Sequence, residues 1–114
     1  MATYVLIHGA WHGAWCWAKV APLLQKAGHT VIAPDLPGHG LDRTPLAEVT
    51  LDRYVERVAG ILDGLDEPAI LVGHSMGGRV ITQAAEARPD RIKLLVYLTA
   101  KDRQSTRLNS SHVA

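Results

Sequence analysis

The chain has a single cysteine, Cys16, so no disulfide can form within it. Its place between Trp15 and Trp17 reads as a small buried filler, because no activating cluster surrounds it. Neither sign of charge prevails: 12 Lys and Arg stand against 11 Asp and Glu, for a formal net charge of +1. That balance argues against nucleic acid as a partner. No apolar run is long enough to span a bilayer, so no membrane partner is expected. The N-terminus lacks a basic segment followed by a separate apolar one, so no signal peptide is visible and a cytoplasmic location is the expectation. No pair of His, Asp or Glu has metal-ligand spacing in a supporting context, and no metal is expected. Gly38-x-Gly40 lacks the further glycine and helix of a dinucleotide loop, so no cofactor is expected either. With a hydrophobic share of 47%, what remains reads as a globular chain acting on a small molecule.

The informative residues are Gly73-His74-Ser75-Met76-Gly77, a G-x-S-x-G pentapeptide. An apolar, strand-like run, Ala69 to Val72, precedes it, and a helix-like run, Met76 to Ala87, follows. That context is the one a nucleophile elbow requires: a sharp turn lifts the serine hydroxyl clear of the sheet. A Cβ at Gly73 or Gly77 would collide with the neighbouring strand or helix. A second motif lies upstream, His8-Gly9-Ala10-Trp11-His12-Gly13, after the apolar run Tyr4 to Ile7. In acyl-transfer enzymes with an elbow, one oxyanion donor is the N–H after the nucleophile, here Met76. The other comes from a loop after a neighbouring strand, here Ala10. Gly9, Trp11, His12 and His74 are the remaining candidates to line the substrate.

Around these motifs, strands and helices alternate. Strands are expected at Thr3 to His8, Thr30 to Ala33, Ala69 to Val72 and Ile92 to Leu98. A helix is expected from Trp17 to Ala27, with Val20, Leu23, Leu24 and Ala27 at helical spacing and Gly28 ending it. A loop rich in Pro and Gly spans Leu36 to Val49. Thr50 caps a second helix, on which Leu51, Tyr54, Val55, Val58, Ile61, Leu62 and Leu65 form one stripe. Such alternation implies a parallel sheet with right-handed crossovers. Asp35, at the end of the second strand, reads as an anchor for its loop.

The residues His8 to Trp17, Ala27-Gly28-His29, Asp35-Leu36-Pro37-Gly38-His39-Gly40 and Gly73 to Gly78 together resemble the α/β-hydrolase superfamily. Within it they are similar to the plant methyl-esterase and hydroxynitrile-lyase family and its bacterial esterase relatives. The resemblance covers residues 3 to about 100. It implies an α/β fold, a truncated α/β-hydrolase with a parallel four-stranded sheet in the order 2-1-3-4 and flanking helices. It also implies ester hydrolysis through an acyl-enzyme on Ser75. Dehalogenases and epoxide hydrolases carry aspartate at the elbow, so Ser75 argues against both. Hydroxynitrile lyases of the family carry threonine where this chain has Gly9, which favours an esterase. Cofactor-free haloperoxidase and carbon–carbon hydrolase chemistry, and a receptor of the same fold that binds without turnover, stay open as alternatives. Oligomeric state is left open.

In this fold the acid and the histidine follow the serine in the chain. After Ser75 the candidates are Glu86, Asp90, Asp102 and His112. Ser75, Asp102 and His112 have the right order, but Asp102 to His112 reads like a translated sequencing adapter. Only Gln104 departs from it, where the adapter encodes lysine. The expectation is therefore two parts: residues 1–100 as the N-terminal half of a hydrolase domain, and residues 101–114 as a non-native, disordered tail. The fragment would then lack its base and be inactive.

Overall fold

The computed structural model describes residues 1–10 and 12–98. Trp11 and the tail, with Asp102 and His112, lie outside the described residues. So does the expectation that the tail is disordered.

Four strands, β1 (Thr3–Ile7), β2 (Thr30–Ile32), β3 (Ala69–His74) and β4 (Ile92–Leu98), form one parallel sheet in the order β2-β1-β3-β4. Three helices accompany them: α1 (Val20–Lys26), α2 (Leu51–Asp63) and α3 (Gly77–Ala87). Period-two alternation divides the apolar residues between two faces. Val5, Ile7, Ala69 and Leu71 pack with Val58 and Leu62 of α2 and with Val80, Ile81 and Ala84 of α3. Leu6, Ile70 and Val72 turn to the opposite face, where Trp17, Ala21 and Leu24 meet them. Both faces of the sheet thus carry helices, as a parallel sheet requires.

Local chemistry explains the boundaries. Thr50 caps α2, its Oγ1 accepting from Arg53 N at 3.2 Å. The guanidinium of Arg91 closes the other end, donating to the carbonyls of Leu62 and Leu65. Gly28 leaves α1 at φ +97°, in the left-handed region, as a helix-ending glycine does. The expected helix from Trp17 to Ala27 needs correction. Ala14–Trp17 is a 3-10 turn, and the α-helix starts only at Val20. The turn is held from outside: Asp35 Oδ1 accepts from Ala14 N at 2.6 Å, while Oδ2 accepts from Leu41 N at 3.1 Å. Asp35 is thus the anchor its position suggests, and these backbone donors hold its carboxyl below the usual range. Of the apolar stripe expected on α1, Leu24 packs inward, but Leu23 is 68% exposed. A short 3-10 turn at Leu46–Glu48 also interrupts the loop that follows β2.

Candidate active site

β1 and β3 run side by side, with Ile7 opposite Gly73. Both chains therefore leave the sheet at the same carboxyl edge, where open α/β sheets bind ligands. Beyond β3 the backbone turns sharply through Ser75, the only non-glycine residue with positive φ among the described residues, at +57°. A side chain in that region is uncommon and is sustained by the structure around it. Ser75 is exposed and precedes α3 by one residue, Met76. Its N–H donates to Leu98 O at 3.0 Å, and its carbonyl accepts from Gly78 N at 2.9 Å. The serine therefore sits in a turn, outside both strand and helix.

The glycines around it are packed against backbone. A Cβ on Gly73 would lie 2.6 Å from Gly77 O, and one on Gly77 would lie 2.5 Å from Ile7 O. The start of α3 is thus seated on the ends of β3 and β1 at once. Gly9 brings the upstream loop into the same place. A Cβ there would lie 3.0 Å from His74 O and 3.1 Å from Ser75 Cβ. The two motifs, far apart in sequence, touch through Gly9.

His8 governs that loop. It is fully buried. Its Nε2 accepts from Leu36 N at 3.0 Å, so the proton resides on Nδ1, which lies 2.8 Å from Gly9 O and donates to it. Gly9 C=O and Ala10 N–H belong to one planar peptide unit, so holding the carbonyl fixes the direction of the N–H. Burial lowers the His8 pKa, which keeps this neutral tautomer; the bond to Gly9 works in the other direction. In the sequence His8 is legible only as part of its motif. Leu36 lies 28 residues away, and nothing local announces the pairing.

The other candidates cluster here. His12 Nδ1 lies 2.8 Å from Ala10 O. The His74 ring sits 5.8 Å from the His12 ring and 6.5 Å from Trp17. His74 Nδ1 and Trp17 Nε1 are buried without a hydrogen-bond partner among the described residues. Burial, then the proximity of His12, lowers the His74 pKa. An opening of about 430 Å³ beside Ser75 is lined by Ser75, Gly78, Arg79, Thr82, Gln83 and Tyr97. Among the described residues no group of three His, Cys, Asp or Glu could hold a metal ion. None of the helices there is long and apolar enough to cross a membrane.

Comparison with known proteins agrees with this fold. Residues 4–113 match a family model described as the alpha/beta hydrolase family. Methylesterase 1 of Arabidopsis thaliana is 46% identical over 101 residues, covering 85% of this chain and 38% of that protein. The Alpha-hydroxynitrile lyase of the same plant is 46% identical over 100 residues, covering 85% of this chain and 39% of that one. The crystal structure of polyneuridine aldehyde esterase superimposes with a TM-score of 0.81 at 38% identity, over 85% of this chain and 39% of its own. The chain thus spans about two fifths of the length of such relatives. With the parallel sheet in the order β2-β1-β3-β4 and the serine turn at its carboxyl edge, the chain belongs to the alpha/beta hydrolase family.

Proposed function

We propose that the chain carries the nucleophile and oxyanion hole of a serine hydrolase acting on carboxylic esters. The observation that carries this reading is the exposed Ser75 at φ +57° with the Gly9 loop against it. In this reading Ser75 Oγ attacks the ester carbonyl and loses its proton to a base. The carbonyl oxygen becomes an oxyanion, held by the N–H groups of Ala10 and Met76. Each such donor is worth roughly 10²–10³ in kcat. Collapse of the intermediate expels the alcohol and leaves an acyl-enzyme, which water then hydrolyses.

The base is assigned outside residues 1–98. Among the described residues no histidine ring nitrogen is hydrogen-bonded to the Ser75 hydroxyl; His8 Nε2 accepts instead from Leu36 N. His74 Nδ1 is buried, beside the Gly9 loop. In this reading residues 101–114 add nothing to the site, and the 114-residue chain alone does not turn over esters. Gly9 supports esterase over hydroxynitrile lyase activity, because it offers no side-chain hydroxyl to hold a cyanohydrin.

The test has two parts. The chain as it stands should hydrolyse aryl esters no faster than its Ser75→Ala variant. Residues 1–98 should then be joined to the C-terminal part of Methylesterase 1 and assayed on methyl and aryl esters. The expected result is hydrolysis that falls on the order of 10³-fold or more on Ser75→Ala. A folded chimera indifferent to Ser75→Ala would sink the proposal.

A further inference from the structure

The backbone of Ser75, at φ +57°, stays in the left-handed region only where its surroundings over-determine it. The last two residues of β4 grip the turn from both ends. On the strand side, Leu98 O accepts from Ser75 N at 3.0 Å. On the helix side, Tyr97, opposite Gly73 in the sheet, reaches across to α3. Its ring lies against Gly78, where a Cβ would stand 3.1 Å from Tyr97 Cδ2. Its hydroxyl meets Thr82 Oγ1 at 2.6 Å.

The direction of these bonds follows from the donors present. Thr82 has one hydroxyl proton, and Gly78 O, 2.9 Å away, can only accept it. Thr82 Oγ1 therefore accepts from the Tyr97 hydroxyl. A threonine bonding back to the carbonyl four residues earlier is common in helices. Here the same hydroxyl is also held by a strand, and bonds in series strengthen one another. The series runs from Tyr97 through Thr82 to the Gly78 carbonyl, and Gly78 N donates to Ser75 O at 2.9 Å. Gly78 is thus gripped by its carbonyl, by its N–H and by the face of a ring. It is the residue through which the first turn of α3 meets the serine.

We propose that Tyr97 and Thr82 are positioning residues for Ser75, fixing the first turn of α3 and with it the direction of the serine hydroxyl. The proposal rests on the esterase reading where it concerns turnover, and not where it concerns the turn. Tyr97→Phe keeps the ring on Gly78 and removes the donor. Thr82→Val keeps the branched shape and removes the hydroxyl, whereas Thr82→Ser keeps the hydroxyl. On the 114-residue chain, amide hydrogen exchange at Ser75 and Gly78 should quicken roughly fivefold in Tyr97→Phe and in Thr82→Val, the scale of one neutral hydrogen bond. Exchange in α2 should not change, and Thr82→Ser should stay near the original rate. The double variant should be no faster than either single one, because one series is broken once. In the chimera with the C-terminal part of Methylesterase 1, both substitutions should lower kcat severalfold at unchanged KM, and Thr82→Ser should retain it. Exchange that quickens equally in α2, or additive effects of the two substitutions, would overturn the proposal. So would an unchanged kcat in a chimera that depends on Ser75. Quickened exchange at Ser75 and Gly78 alone, with turnover indifferent to Ser75→Ala, counts against the esterase reading only. Unaltered exchange with Ser75-dependent turnover counts against the positioning role only.

Discussion

Single atoms decide whether the elbow can form. Gly77 is the sharpest case, because its Cβ position lies 2.5 Å from Ile7 O and 2.9 Å from His8 O. Gly77→Ala must push α3 off β1 or distort both. The expected cost is at least the ~1–3 kcal/mol of an overpacked core, read as a lower urea midpoint. An unchanged midpoint would mean that the helix is not seated as described. His8 supplies a pH-dependent counterpart. Its pKa is lowered from the ordinary 6.5 chiefly by burial, so between the folded value and 6.5 the unfolded chain binds more protons than the folded one. Stability is therefore full above 6.5 and falls as pH falls below it. His74 is shifted in the same direction. Urea midpoints should drop between pH 7.5 and pH 5, and His8→Gln should flatten that slope without abolishing it. A slope unaltered by His8→Gln would show that the imidazole does not titrate as its surroundings imply. The serine and its glycines were legible in sequence, because an elbow has a fixed local spacing. The bond from Leu36 N to His8 was not, because it joins residues 28 apart.

Elements were legible in proportion to the length of their pattern. The stripe on α2 and the cap at Thr50 place that helix within two residues of its observed end at Asp63. Short turns escaped: Ala14–Trp17 and Leu46–Glu48 are too brief to show a period. The apolar spacing starts α1 too early because Trp17 continues it, whereas Asp35 holds that segment in a tighter turn. The cap is open to a direct test. Thr50→Ala should lower stability by about 1 kcal/mol, and Thr50→Ser should restore most of it. If alanine and serine behave alike in urea unfolding, the bond from Arg53 N to Thr50 Oγ1 carries no weight in solution.

For the whole molecule, alternation alone predicts a parallel sheet, but not the order of its strands. That order came from the family resemblance, since pairing across long separations leaves no local signature. The described sheet also carries a liability. β4 is paired only with β3 among the described residues, and Leu94 on it is 45% exposed. A long, apolar edge strand invites intermolecular pairing. The 114-residue chain should therefore express poorly in soluble form, and Leu94→Lys should raise the soluble yield measured after centrifugation. No gain would place the cause of aggregation elsewhere, for example at Leu23 on the outer face of α1.

The pairing of Ile7 with Gly73 also sets a timetable for biosynthesis. At ~5–20 residues per second, roughly 3–13 s pass between the synthesis of one and of the other. During that interval β1 can find β2 on one edge only. Its other edge waits for a strand not yet translated, and loop closure over such a span slows folding further. The two halves of the candidate site are therefore made at different times and meet late. A nascent chain halted before residue 69 would hold the Gly9–Ala10 loop through His8 and Leu36 but without His74 and Ser75 against Gly9, and a chaperone that shields Thr3–Ile7 would act in that window.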